Sequence, residues 1–428
     1  MSAAELSIAF FLQLAVIVAA CRVVGWLARK WLGQPQVVGE MIAGVVLGPS
    51  LLGALAPDAQ AAIFPAESRD ILFVVAQLGV GLYMFLVGLG FDREGFRASA
   101  RSAAAVSLAG MAAPFLFAVL LTPWLMDVPG LFTNQVGRFE ATLFTGAAMA
   151  ITAFPMLARI IHERGLSGTP LGTLSLSAGA VDDAAAWIVL AIVLASLGDG
   201  PQAAWLAIGG GVAFALFCVI VAPRLLAPLA RGVERDGELG QTALGLTLLA
   251  FLLAACFTDA VGLHAVFGGF LLGTAMPRGR FAEAVRARLE PLTVVLLLPI
   301  FFTFSGLNTE LLMLGDWSLL GIALATLAAS ILAKGGACYL AARATGQDHP
   351  TALGIGALMN ARGLMELIII NIGLQRGVIG PALFAMLVLM AIITTLMASP
   401  LFELVRKRYF DGLRTSSTEL SPLPPRSA

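Results

Sequence analysis

Charge is scarce in this sequence. Only 12% of its 428 residues are charged, whereas soluble domains average roughly 25%, and 59% are hydrophobic. So little charge excludes a soluble globular protein and predicts an integral membrane protein with helical spans. Basic and acidic residues are equal in number, 26 of each, so nucleic acid is not an expected partner.

Cysteine and histidine are also rare, with four and three residues. No two cysteines have the CxxC spacing of a metal site. His162, His264 and His349 all fall near the ends of apolar runs, which argues against the Ser/His constellation of an intramembrane serine protease. An aspartic protease needs two facing carboxylates from different segments, and none is indicated. We therefore expect neither an enzyme nor a resident cofactor.

Long apolar runs, by contrast, recur along the chain. Windows of about 17 to 28 residues predict an all-α integral membrane protein with about thirteen transmembrane helices. They lie near residues 6–28, 35–55, 70–91, 102–126, 139–160, 170–198, 203–223, 239–258, 261–277, 289–312, 317–342, 350–374 and 380–405. The first run is too long for a cleaved signal peptide. Residues 1–410 then form the transmembrane domain, and the Ser- and Pro-rich tail, 411–428, is predicted to be disordered and cytoplasmic.

The distribution of basic residues tests this count. Twenty of the 26 fall in alternate connections, three in the remaining connections and three within spans. Because cytoplasmic loops carry the excess of Lys and Arg, the N-terminus is predicted outside and the C-terminus in the cytoplasm. A wrong number of spans would scramble the alternation. The composition and the lack of sorting motifs predict a multi-pass protein of the bacterial inner (cell) membrane.

Short sequence matches recur at an offset of seven spans. AGVVLG in the second span resembles GGFLLG in the ninth, FLVGLGFD in the third resembles FTFSGLNT in the tenth, and GAAMAITA in the fifth resembles GALMNARG in the twelfth. Because seven is odd, the copies run in opposite directions. This predicts an inverted six-helix repeat, with 6–198 as the first copy, 203–223 as a linker helix and 239–405 as the second copy. Secondary transporters are often built in this way, with the site at interrupted helices near the midplane.

The fifth and twelfth spans carry such interruptions. Pro155 removes a backbone donor from the fifth span, and Asn360, Arg362 and Glu366 interrupt the twelfth. Proline kinks are tolerated in many membrane helices, so the pairing of the two repeat partners is the stronger signal. Arg362 and Glu366 are four residues apart and can form an ion pair that braces the broken helix.

Two adjacent aspartates, Asp182 and Asp183, lie in the middle of the sixth span. A charge at that depth costs roughly 2.5 to 3.5 kcal/mol on insertion scales, which indicates a functional site. Neighbouring residues on a helix point about 100° apart, so one carboxylate can face a helix and the other a water-filled cavity. Lys334, the only intramembrane lysine, is the natural counter-charge. We hypothesise that it pairs with Asp182 and that Asp183 binds the cation, although spacing alone leaves the two aspartates interchangeable.

This arrangement suits ion exchange. A carboxyl group in a low-dielectric cavity retains its proton more strongly than in water, and its oxygens are hard ligands for alkali cations. Proton and cation then compete for one site, and a site that opens alternately to two sides exchanges them. The Thr152 hydroxyl is a further candidate ligand, or else it bonds its own backbone.

The sequence therefore predicts a secondary active antiporter that exchanges Na+ or K+ for protons. Proton-coupled efflux of an organic cation is an alternative, disfavoured by the few aromatic residues in the core spans. A cation channel is another, but no selectivity filter or charged ring is evident.

The chain resembles the monovalent cation:proton antiporter superfamily. Within it, the similarity is greatest to the branch of Kef-type potassium efflux systems, plant cation/proton exchangers and bacterial Na+/H+ antiporters with paired aspartates. The segments that carry the resemblance are VVGEMIAGVVLGPSLLG (37–53), SAGAVDDAAAW (177–187), HAVFGGFLLG (264–273), LPIFFTFSGLNT (298–309) and MNARGLMELIIINIGL (359–374).

The resemblance implies a homodimer in which a core half moves like an elevator against a dimer half. It also implies that the two broken helices cross, that Asp183 binds the ion while Asp182 pairs with Lys334, and that two protons exchange for one cation. The nucleotide-binding domain of Kef-type relatives does not fit in the short tail, so its gating is not expected here. The resemblance leaves Na+ and K+ open.

Overall fold

The structure is a computed structural model. It describes residues 2–410 except 35, 92, 134–135, 195–200, 308–316, 363–365, 367–368, 371–372 and 375. A few side chains within the described helices, including those of Pro155 and Asp183, also lie outside the described part.

The described residues form helices and turns, and they contain no strand beyond an isolated antiparallel bridge between Phe132 and Ile379. The α-helices are α1 (Ala3–Leu32), α2 (Gln36–Leu47), α3 (Leu52–Leu55), α4 (Pro57–Ile63), α5 (Arg69–Leu89), α6 (Arg93–Met126), α7 (Arg138–Ala150), α8 (Phe154–Glu163), α9 (Pro170–Leu194), α10 (Pro201–Leu216), α11 (Ala222–Asp236), α12 (Gln241–Ala260), α13 (Ala265–Ala275), α14 (Arg280–Leu292), α15 (Leu298–Gly306), α16 (Trp317–Ile331), α17 (Ala337–Ala344), α18 (His349–Leu358) and α19 (Pro381–Val405).

Short π-helical turns join several of these helices into continuous rods. Phe217–Val221 joins α10 to α11, Thr293–Leu297 joins α14 to α15, and Leu332–Gly336 joins α16 to α17. A fourth, Arg406–Phe410, extends α19, and a 3-10 turn, Ala66–Ser68, precedes α5.

Among the described residues, nine helical segments are long and apolar enough to cross a membrane. They are Ala4–Trp31, Gln36–Leu55, Pro57–Leu89, Ser99–Met126, Trp205–Val233, Gln241–Ala260, Arg280–Phe304, Trp317–Ala344 and Pro381–Tyr409. Large apolar side chains such as Phe11 and Val219 are exposed on their outer faces, as a hydrocarbon surrounding permits. The all-helical membrane fold is thus confirmed. The count of thirteen and the inverted repeat stay predictions.

The helices pack into two groups. The core group comprises α6–α9 and α16–α19, and the scaffold group comprises α1, α2, α5 and α12–α15. Glycines let scaffold backbones touch: a Cβ on Gly44 of α2 would lie 2.5 Å from the Phe302 carbonyl oxygen of α15, and one on Gly273 of α13 would lie 2.2 Å from the Phe85 carbonyl oxygen of α5. The half-helix α8 packs against both α2 and α5 and so links the groups.

Two interrupted helices meet inside the core group. Residues 151–153 separate α7 from α8, and residues 361–362, after α18, are also non-helical. The Ala153 amide donates to the Ala361 carbonyl oxygen at 3.0 Å, so the breaks lie against each other. Pro155 occupies the first turn of α8, where a missing N–H is tolerated. Its ring would clash with the carbonyl four residues earlier, at Ile151, which explains why α7 ends just upstream of the proline.

Candidate functional site

Asp182 lies fully buried on α9, against the two breaks that meet at Ala153 and Ala361. Ser107 on α6 donates to its Oδ1 at 2.6 Å, and Thr152 from the first break donates to its Oδ2 at 2.8 Å. Lys334 Nζ lies 3.0 Å from the same Oδ2. Both carboxylate oxygens therefore accept hydrogen bonds, which offsets the cost of burying the charge.

Lys334, the partner that the sequence analysis assigns to Asp182, is also fully buried. It lies in the π-helical turn between α16 and α17. Besides the aspartate, its ammonium donates to the carbonyl oxygens of Gly110, at 3.5 Å, and of Ala150. An ammonium has three N–H donors, so each has an acceptor in this arrangement.

Arg362 occupies the second break rather than the face of a regular helix. Its guanidinium donates to the carbonyl oxygen of Ala148 at 2.8 Å, to that of Met149 and to the hydroxyl of Ser330. Its Nη1 lies 3.4 Å from Glu366 Oε1, so the predicted i,i+4 pair is present. The contacts to α7 are additional to that prediction, and they make Arg362 a cap for a helix end.

Lys334 and Arg362 together serve the C-terminal end of α7. The carbonyl oxygens of its last three residues, Ala148 to Ala150, all accept hydrogen bonds from these two cations. The last carbonyls of a helix lack intrahelical partners and carry the negative end of its macrodipole. Two buried cations therefore stabilise a helix that ends inside the protein.

Asn360 performs the matching role for α18. Its Nδ2 donates to the Gly356 carbonyl oxygen at 3.0 Å, near the end of that helix. A Cβ on Gly335 would lie 2.1 Å from Asn360 Nδ2, so this contact requires the glycine that follows Lys334. Asn360 Oδ1 and Glu366 Oε2 are buried and have no hydrogen-bond partner among the described residues. Within the described part of the chain they are acceptors that remain available beside the second break.

The Thr152 hydroxyl reaches across the site and does not bond its own helix. Its oxygen lies 2.8 Å from Asp182 Oδ2 and 3.4 Å from the Met359 carbonyl oxygen of the other broken helix. The non-helical backbone at Thr152 explains this choice, since the preceding turn no longer offers a nearby carbonyl.

The side chain of Asp183 lies outside the described residues, although its backbone belongs to α9. The same holds for the Pro155 ring. The roles predicted for the two aspartates therefore stay predictions. In the described part of the chain, no group of three or more His, Cys, Asp or Glu residues could hold a metal ion.

Ser107 and Ser330, which bond the buried aspartate and arginine, were not predicted from the sequence. Each is one of a few hydroxyl side chains in a largely apolar helix. Ser107 also lies three residues before Gly110, on the same helix face, which indicates a close approach of another element. That small-polar face is a signal that could have identified α6 as part of the site.

The chain is similar to known proteins over most of its length. Residues 5–405 match the family described as "Sodium/hydrogen exchanger, transmembrane". The chain is 38% identical to the Na(+)/H(+) antiporter NhaS4 of Synechocystis sp., over 90% of this chain and 94% of that protein. It is 34% identical to Cation/H(+) antiporter 17 of Arabidopsis thaliana and 32% identical to K(+)/H(+) antiporter 1 of Saccharomyces cerevisiae, over 92% and 95% of this chain.

The chain covers 48% and 47% of the plant and yeast relatives, or about half of their length. Among solved structures, the sodium proton antiporter MjNhaP1 from Methanocaldococcus jannaschii matches with a TM-score of 0.63. The match covers 94% of this chain and 97% of that one at 16% sequence identity, so it shows a shared fold.

Proposed function

The chain belongs to the sodium/hydrogen exchanger family, and on that premise we propose that it is a secondary active antiporter that exchanges Na+ or K+ for protons. The family consists of transporters rather than enzymes. Relatives that match nearly the whole chain are named as Na+/H+ and as K+/H+ antiporters. The observation that carries the proposal is the buried Asp182–Lys334 pair at the crossing of two interrupted helices, with a second carboxylate next in sequence.

Asp183 is the proposed site at which proton and cation compete. Asp182 already accepts hydrogen bonds from two hydroxyl groups and pairs with the Lys334 ammonium, so it is suited to a fixed structural role. Consecutive residues of a helix point about 100° apart, so we assign the competition between proton and cation to the next residue, Asp183. The unpartnered Asn360 Oδ1 is a neutral oxygen ligand of the kind that alkali cations accept.

Alternating access is proposed to occur by movement of the core group against the scaffold group. The described polar residues of the site, Ser107, Thr152, Asp182, Lys334 and Arg362, all belong to core-group elements and their junctions. Their hydrogen bonds would therefore move as one unit. Exchange then needs no resident cofactor, since the proton and the cation are the only species bound.

The glycine contacts of the scaffold support the proposed thirteen-helix inverted repeat. The second span corresponds to the ninth and the third to the tenth. The contact of α2 with α15 and the contact of α13 with α5 are therefore equivalents in the two copies. By the distribution of basic residues, we further propose a multi-pass cell-membrane protein, its N-terminus outside and its C-terminus cytoplasmic. The resemblance adds a homodimer to the proposal.

Proteoliposomes with a pH gradient and a trapped pH-sensitive dye test the function. Na+, K+ and Li+ are added one at a time. We expect Na+ or K+ to collapse the pH gradient in the wild type. Asp183→Asn should abolish this response, whereas Asp348→Asn, at an exposed carboxylate before α18, should retain it. If no cation moves protons, the antiporter proposal fails. If Asp183→Asn is as active as wild type, the assignment of the site fails.

A further inference from the structure

A polar pocket of about 610 Å³ opens where α1, the start of α2 and α8 meet. Four arginines and His162 line it, and Glu163 is its one acidic residue among the described ones. The arginines are Arg22 and Arg29 on α1, and Arg159 and Arg164 at the end of α8. The pocket thus joins the scaffold group to the core group, on the side that the basic connections assign to the cytoplasm.

The two α8 arginines have carboxylate partners. Arg159 Nε lies 2.7 Å from Glu163 Oε1, and Arg164 Nη1 lies 2.8 Å from Glu403 Oε1. A third carboxylate, that of Glu40, is buried behind the wall and interacts electrostatically with Arg159 and, more weakly, with Arg22. Of these three carboxylates, only that of Glu163 lines the pocket, together with four arginines, so the pocket surface is basic overall.

The two α1 arginines are less well compensated. Arg29 donates to the neutral amide oxygen of Gln36 at 2.9 Å. Arg22 has no hydrogen bond or ion pair with any described residue and is exposed. They are seven residues apart and lie on one helix face, with Trp26 between them. Two exposed guanidinium groups on one helix face are suited to binding an anion.

The depth of Arg22 and Arg29 in the membrane indicates which kind of anion they would bind. The 30 residues of α1 span about 45 Å, enough to cross a bilayer with its headgroups. Trp26 and Trp31, near its C-terminal end, are 55% and 74% exposed, and Lys30 Nζ lies 4.7 Å from the Trp26 ring centroid. Exposed tryptophans with a basic residue mark the headgroup region. Arg29 lies at that level, and Arg22 is about 10 Å deeper along the helix.

We propose that this pocket binds the phosphate group of an anionic phospholipid, with Arg22 and Arg29 as its ligands. Basic pockets between transmembrane helices on the cytoplasmic side are suited to such headgroups. The exposed side chain of Val23 and the Trp26 ring offer an apolar surface for an acyl chain beside the guanidinium groups, which a free phosphate ion would not use. A lipid seated here contacts α1 and α8 at once, so it bridges the two helix groups. The described residues that line this pocket include neither of the two aspartates of the proposed transport reaction.

The test uses the delipidated full-length protein in a neutral detergent, with the melting temperature as the readout. Dihexanoyl phosphatidylglycerol, dihexanoyl phosphatidylcholine and inorganic phosphate are titrated separately. We expect the anionic lipid to raise the melting temperature at lower concentration than the other two. Arg22→Gln/Arg29→Gln should shift its half-maximal concentration upward by roughly thirtyfold, since each basic group contributes about fivefold.

Arg280→Gln/Arg288→Gln removes the same charge from exposed positions of α14 and should bind the lipid like wild type. Arg22→Lys/Arg29→Lys keeps the charge and should retain most of the affinity, which separates lost binding from misfolding. Equal effects of the two lipids, or equal losses in the α1 and α14 variants, would overturn the proposal. If inorganic phosphate reproduces the shift at the same concentrations, the site binds free phosphate and the lipid assignment is wrong.

Discussion

Replacement of Lys334 by methionine removes the cation that pairs with Asp182. The ammonium is fully buried and donates to Asp182 and to the carbonyl oxygens of Gly110 and Ala150. In Lys334→Met, two hydroxyl donors remain to the carboxylate among the described residues. Removing one partner of a buried ion pair costs about 3 to 5 kcal/mol, so we expect the free energy of unfolding to fall by that amount.

A double-mutant cycle shows whether the loss comes from the pair itself. Asp182→Asn alone leaves the ammonium buried without its counter-ion and should cost about as much as Lys334→Met. The double variant leaves no unpaired charge. It should therefore be more stable than the sum of the single losses implies, by about 1 to 3 kcal/mol of coupling.

Equilibrium unfolding in mixed detergent micelles, followed by circular dichroism, measures these values. Lys30→Met is the matched control, because this lysine is exposed and its contact among the described residues is a cation–π interaction with Trp26, worth about 0.5 to 1 kcal/mol. The reasoning is refuted if Lys334→Met costs no more than Lys30→Met, or if the losses in the double variant simply add.

Three further substitutions test the packing and the hydrogen bonds of the site by the same unfolding measurement. Gly306→Ala would place a Cβ 2.0 Å from the backbone of α2 and should lower the free energy of unfolding by about 1 to 3 kcal/mol or more. Gly321→Ala meets open space and should be neutral or stabilising by up to about 1 kcal/mol. Equal effects of the two variants would contradict the close contact. Arg362→Lys cannot reach all the acceptors of the planar guanidinium, and we expect a loss of about 2 kcal/mol despite the retained charge; a silent substitution would refute its role as a cap. Thr152→Val removes a donor to Asp182 and should cost about 1.5 to 3 kcal/mol, while Thr152→Ser should restore most of it; a serine variant as unstable as valine would show that the methyl group, not the hydroxyl, matters.

A pairing of Lys334 with one of the two adjacent aspartates could be predicted from scarcity, whereas the choice of Asp182 over Asp183 came from the resemblance. A lone lysine inside the membrane needs a carboxylate, and few are present at that depth. The pair of Arg362 and Glu366 could be predicted from their spacing. The second role of Arg362, as a donor to the end of α7, could not, because it joins residues more than 200 positions apart in the chain.

The membrane class, the helical content and the positions of the interruptions can be predicted from the sequence alone. Each depends on a local property of the sequence. These are the hydropathy over some twenty residues, a proline that cannot form the helical hydrogen bond to the carbonyl four residues earlier, and a polar residue in an apolar run. Which groups satisfy the buried ends of α7 and α18 depends on the tertiary packing. The donors come from the π-helical turn at Lys334 and from the break that faces each helix end, with Arg362 at α7 and Thr152 at α18. They meet because the two breaks lie against each other, and backbone groups that no local turn can satisfy must then find donors wherever the packing brings them.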